Sequence, residues 1–95
     1  MTDTIFLEVV LQAADFEFGG RDEIEDPLEE ALTTAGIGEV TGGGTGSGVA
    51  IIDVEVTDLT AGLAVLRKVL KSLGVARSTV IRQSQPEKAI HMVYE

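Results

Sequence analysis

VAIIDVEVTDLTAGLAVLRKVLKSLG, residues 49–74, holds two periods back to back, and the switch between them decides the fold. Over residues 49–56 the apolar positions alternate. Ala50, Ile52, Val54 and Val56 share one face, and Val49, Ile51, Asp53 and Glu55 share the other. Period two predicts a strand with its first set in a core. From Asp58 the period becomes helical: Leu59, Leu63, Leu66, Leu70 and Leu73 form one stripe. Asp58 is placed to cap this helix, Lys68 and Lys71 complement the C-terminal half of its dipole, and Gly74 ends it. A strand and a helix that each carry one apolar side need partners to bury them against.

Those partners are legible upstream. TIFLEVVLQ, residues 4–12, alternates with Ile5, Leu7, Val9 and Leu11 on one face and Thr4, Phe6, Glu8, Val10 and Gln12 on the other. This is a second amphipathic strand. AADFEFGGRDEIE, residues 13–25, is acidic and contains Gly19-Gly20, which reads as a connection ending in a helical turn. DPLEEALTTAG, residues 26–36, then predicts a helix, with Asp26 as cap, Pro27 at the first helical position, Glu29 at the third, and Gly36 as its end. Leu28, Ala31, Leu32 and Ala35 form its stripe. Residues 37–40 start another strand that runs into a glycine stretch. STVIRQ, residues 78–83, is a further strand, SQPEK turns, and AIHMVYE, residues 89–95, is a last strand at an edge.

The order strand, helix, strand, strand, helix, strand predicts one α+β domain over residues 1–95. It is a ferredoxin-like βαββαβ sandwich with two helices on one face of an antiparallel sheet and an extra C-terminal edge strand. Ninety-five residues with 44% apolar content suffice for one modest core. No cysteine is present, so neither disulfides nor thiolate metal sites contribute. The opening MTDTIFLEVV has no basic segment before an apolar run, and no apolar stretch approaches the length of a membrane span. A cytoplasmic location is the resulting expectation. Sixteen acids against seven bases give a net charge of −9, which repels nucleic-acid backbones and anionic membranes.

Two stretches stand out as sites. TGGGTGSG, residues 41–48, resembles part of a phosphate-binding loop, yet it lacks the lysine and is followed by a strand rather than a helix. It therefore reads as a mobile hairpin tip, and Thr41, Gly42, Gly43, Gly44, Thr45, Gly46 and Ser47 are the candidates for a loop that orders on a ligand. The second is the sheet face turned away from the helices, where Phe6, Glu8, Val10, Val49, Ile51, Asp53 and Glu55 make a half-apolar, acidic patch on adjacent central strands. Three arrangements fit it: a cover formed by AIHMVYE or by the loop holding Phe16 and Phe18, self-association through the sheet, or a ligand site. No catalytic constellation, cofactor motif or metal-binding spacing is present. The single histidine, His91, lies on a strand and reads as a packed structural residue.

LEEALTTAGIGEVTGGGTGSG followed by IIDVEVTDLTAGLAVLRKVL, within residues 26–73, resembles the ferredoxin-like regulatory domains of the PII and ACT kinds. There a helix ending in glycine leads into a strand and loop, then an aliphatic–acidic strand and a second amphipathic helix. The chain departs from PII proteins in its short glycine run and in LGVARSTVI, which lacks their second glycine–lysine loop, so no nucleotide-binding residue carries over. The resemblance implies the architecture, oligomerisation through sheets, and a sensing or binding role. Two functions follow as expectations. One is a non-enzymatic binding or regulatory module that self-associates through the mixed sheet face. The other is an acidic inhibitor or immunity-type protein whose Asp15, Glu17, Asp22, Glu23, Glu25, Asp26, Glu29 and Glu30 meet a basic protein partner.

Overall fold

The computed structural model describes residues 4–15, 20–85 and 88–94. Its elements are β1 (Ile5–Gln12), a 3-10 turn (Ala13–Asp15), α1 (Asp22–Ala35), β2 (Gly38–Gly46), β3 (Val49–Val56), α2 (Leu59–Leu73), β4 (Val80–Gln85) and β5 (Ala89–Met92). The strands form one antiparallel sheet in the order β2-β3-β1-β4-β5. The chain is thus α+β, with two helices and a five-stranded antiparallel sheet, an arrangement compatible with a ferredoxin-like fold.

β1 and β3 lie side by side at the centre, with Leu7 opposite Val54 and Val9 opposite Ile52. Register places both aliphatic sets on one face, where Leu7, Val9, Leu11, Ala50, Ile52, Val54 and Val56 are buried. The helices cover this face: α1 contributes Ile24, Leu28 and Leu32, and α2 contributes Leu63, Leu66 and Leu70. α2 begins as its sequence predicts, with the Asp58 carboxylate accepting from the Ala61 N–H at 2.9 Å, and it ends at Gly74.

α1 starts a turn earlier than its punctuation suggests. Asp26 is not its cap, and Pro27 lies inside the helix rather than at its first position. The cause is Ile24, which is fully buried and anchors the preceding turn against the core. That turn is held by the Ile24 and Glu25 amides on the Arg21 carbonyl, by Gly20 N–H donating to Glu23, and by an Arg21–Glu25 ion pair at 3.3 Å. Asp22, Glu23 and Glu25 also sit at the positive end of the helix dipole. These contacts offset the hydrogen bond that Pro27 cannot donate.

β5 pairs with β4 at the sheet edge, as expected of AIHMVYE, but the strand stops at Met92. Val93 turns into the core, and the Tyr94 hydroxyl donates to the Val75 carbonyl beneath the Arg77 guanidinium. This segment therefore widens the sheet and closes the helix side. It does not fold across the opposite face.

Helix α2 approaches the sheet closely at Gly62. A Cβ there would lie 2.9 Å from both γ-carbons of Val56. Gly62→Ala is expected to lower stability by about 1–3 kcal/mol through overpacking, although alanine is intrinsically the better helix former by about 1 kcal/mol. Adding Val56→Ala removes the clash. Urea denaturation should find the double variant more stable than the sum of the two single losses implies.

Candidate interaction surface

The face away from the helices is built in rows that cross the strands. One row runs Gly44, Ile51, Val10, Val80 and Met92 across all five strands. The next runs Gly42, Asp53, Glu8, Arg82 and Ile90, and beyond it Glu39, Glu55 and Phe6 lie in line. The sequence-predicted patch of Phe6, Glu8, Val10, Val49, Ile51, Asp53 and Glu55 is therefore contiguous. Sequence reading did not include Val80, Ile90 and Met92, which extend it by two strands. The signal was present in their alternation with Ile81 and His91, but it depends on knowing that β4 and β5 pair beside β1. Val10 is 7% exposed between its two neighbours, while Phe6, Ile90 and Met92 are exposed at 37%, 60% and 46%. Phe16 and Phe18, whose loop was one expected cover, lie outside the described residues.

Charge on this face is uneven. Glu8 stands opposite Asp53, and Glu39 opposite Glu55, and like charges placed so destabilise a sheet. Arg82 relieves the first pair. Its Nε donates to Glu8 at 2.9 Å, and this bond, then the Glu8 charge, raises the guanidinium pKa further. The pair is exposed and contributes little to stability.

Most of the glycine run is strand rather than hairpin tip. Gly42 to Gly46 continue β2 and pair with Asp53 to Val49, so only Ser47 and Gly48 form the turn. Both have positive φ, 52° and 80°, as the hairpin turn matched to strand twist requires. β propensity predicts the opposite, because glycine weakens strands. Two tertiary devices override it: full pairing with the aliphatic strand β3, and a bulge between Val40 and Gly42 that leaves Thr41 as the extra residue. Beside the bulge, the Val40 N–H points off the sheet and donates to the Glu29 carboxylate of α1, which also accepts from Thr33. Thr41, Thr45 and Ser47 are exposed with the glycines between them.

His91 lies on the helix-facing side, where its Nε2 hydrogen-bonds the Oε1 of buried Gln83 at 2.9 Å. Its role there is to satisfy a core amide. An open cavity of about 620 Å³ near the start of β2 is lined by Glu29, Glu39 and Glu55 and by the hydroxyls of Thr4, Thr33 and Thr57. Among the described residues no three His, Cys, Asp or Glu side chains gather as a metal site requires, and no helix is long and apolar enough to cross a membrane. Searches of family models, curated proteins and solved structures find no match to this chain.

Glu29 connects α1 to the edge of the sheet. Glu29→Ala is expected to cost about 1–2 kcal/mol by leaving the Val40 donor without its charged acceptor. Glu29→Gln, which keeps an acceptor oxygen, should recover most of that loss in thermal or urea melts. A loss equal for both variants would contradict this role.

Proposed function

We propose that the protein is a small, non-enzymatic binding or regulatory module of ferredoxin-like topology that self-associates through its open sheet face. The observation that carries this reading is the apolar row Ile51–Val10–Val80–Met92, which spans four adjacent strands with no described element above it. Met92 is exposed, Ile51 and Val80 are half-buried, and Val10 is buried between them. A contiguous apolar row left uncovered by other elements marks an interaction site. Five strands about 4.8 Å apart, four to nine residues long at about 3.3 Å per residue, give a face of roughly 550 Å² in projection. That suits one side of a standard interface, about 800 Å² of accessible surface per partner.

The charge layout favours a second copy in one orientation. The apolar row lies toward the β2–β3 turn, whereas Glu39, Glu55, Glu8 and Asp53 lie toward the other end. A two-fold axis through the apolar row sends the two acidic ends to opposite rims, so a net charge of −9 per chain does not oppose packing at the centre. This reading agrees with the sheet-mediated assembly and sensing role implied by the PII/ACT resemblance. Self-association is consistent with a cytoplasmic module that needs no cofactor.

Sedimentation velocity from micromolar to near-millimolar protein is the test. The wild type is expected to form a dimer or larger assembly. Ile51→Lys, at the β3 end of the apolar row, should abolish it, and Phe6→Glu, at the acidic end, should weaken it. A wild type that stays monomeric throughout this range would remove the proposal.

A further inference from the structure

The two edges of the sheet are finished differently. β5 is four residues long, and the Arg67 guanidinium of α2 donates to its Met92 carbonyl at 2.8 Å. β2 is nine residues long, and Glu29 satisfies its outer edge only at Val40. In an antiparallel ladder alternate residues turn both backbone groups outward. Counting back from the turn-closing pair Gly46–Val49, those residues are Gly43 and Thr45. Among the described residues nothing hydrogen-bonds their outward N–H and C=O groups. Natural sheets usually block such an edge with lysine, proline or a covering segment, and β2 has no lysine or proline.

We propose that the outer edge of β2 from Gly42 to Gly46 is a strand-addition site for an extended basic segment of another protein. Backbone pairing to Gly43 and Thr45 supplies the attachment, the usual source of affinity when a peptide extends a sheet. The open-face positions of the incoming strand lie beside Gly42, Gly44 and Gly46, which present no side chains. Each incoming side chain can lean across bare backbone to the next strand, where Asp53, Ile51 and Val49 stand opposite those glycines. The Asp53 carboxylate already leans this way, with Oδ2 3.7 Å from where a Cβ on Gly42 would be. An antiparallel segment is therefore read as apolar, any, apolar, any, basic.

Charge decides the class of occupant. Glu39 lies farther along the same edge with Glu55 opposite it on β3. α1, which packs on β2, carries Asp22, Glu23, Glu25, Asp26, Glu29 and Glu30, while Arg21 beside Gly43 is paired with Glu25. A second copy of so acidic a chain is repelled here, while a lysine- or arginine-bearing strand is attracted and its encounter accelerated. The site borders the open sheet face and shares Asp53, Ile51 and Val49 with it, but its attachment is the backbone edge at Gly43 and Thr45 and does not require self-association.

The test is nuclear magnetic resonance titration of the full chain with the peptide acetyl-Thr-Val-Lys-Val-Lys-Lys-Thr-amide. A control peptide carries glutamate in place of each lysine. The amides of Gly43 and Thr45 are expected to shift and to exchange more slowly with solvent, and the glutamate peptide should leave them unmoved. Thr45→Pro removes one outward N–H at a position where an edge strand tolerates proline, and should abolish binding while the remaining spectrum stays folded. Asp53→Asn should weaken binding about two- to fivefold, the scale of one partly exposed ion pair. Gly42→Val, which meets only ordinary contacts in the folded chain, should also weaken it. Unmoved Gly43 and Thr45 amides at millimolar lysine peptide would overturn the proposal. So would equal binding of the glutamate peptide, or binding indifferent to Thr45→Pro. Sedimentation of Thr45→Pro should match the wild type, so failure here and failure of sheet-face assembly are read separately.

Discussion

The register of β1 against β3 is the constraint on which the rest of the molecule depends. Leu7 faces Val54 and Val9 faces Ile52, so both aliphatic sets lie under the helices. A slip by one residue would bring Phe6, Glu8 and Val10 under them and leave the leucine stripes of α1 and α2 without partners. The same register fixes the other face without further choice. Once the helix side is settled, Val10 must lie beside Ile51, and Glu8 beside Asp53. The open apolar row and the like-charge pairs are thus consequences of how the core is made.

β2 is a guest on this arrangement. Its glycines bury little, and its position is set by pairing to β3, by Glu29 at the bulge, and by the close approach of Arg21, whose guanidinium reaches the Ile51 carbonyl at 3.4 Å. A Cβ on Gly43 would overlap the Ile51 carbonyl oxygen and lie 2.8 Å from that guanidinium, so part of the glycine content makes room for the backbone of β3. The remainder, at Gly42 and Gly44, meets no crowding that demands glycine. Those two positions leave the sheet surface bare next to an acidic edge, which is a property of surface and not of folding.

Sequence alone was informative wherever one residue period ran long enough. The alternation in β1 and β3 and the leucine stripe of α2 placed the sheet centre, its buried face and the second helix. The mixed character of Phe6, Val10, Ile51, Asp53 and Glu55 marked the open face for the same reason. Two features were not legible, and a third was legible in part. The helical turn ahead of Asp26 could be read, but its fusion with α1 follows from burial of Ile24, a tertiary contact that outweighs the punctuation at Asp26 and Pro27. The strand character of Gly42–Gly46 comes from its neighbour β3, because glycine carries no period of its own. The contribution of Val80, Ile90 and Met92 depends on which strands become neighbours, which no local window contains.

The central claim is that the apolar row on the open face meets its own copy. Isotope-filtered nuclear Overhauser spectroscopy on a mixture of labelled and unlabelled chains tests it most directly, by reading contacts between copies at the methyl groups of Val10, Ile51, Val80 and Met92. The account predicts cross-peaks between copies linking Ile51 and Val80 methyls to their counterparts across a two-fold axis. Methyl groups that show contacts only within one chain, at concentrations where the protein is abundant, would contradict it.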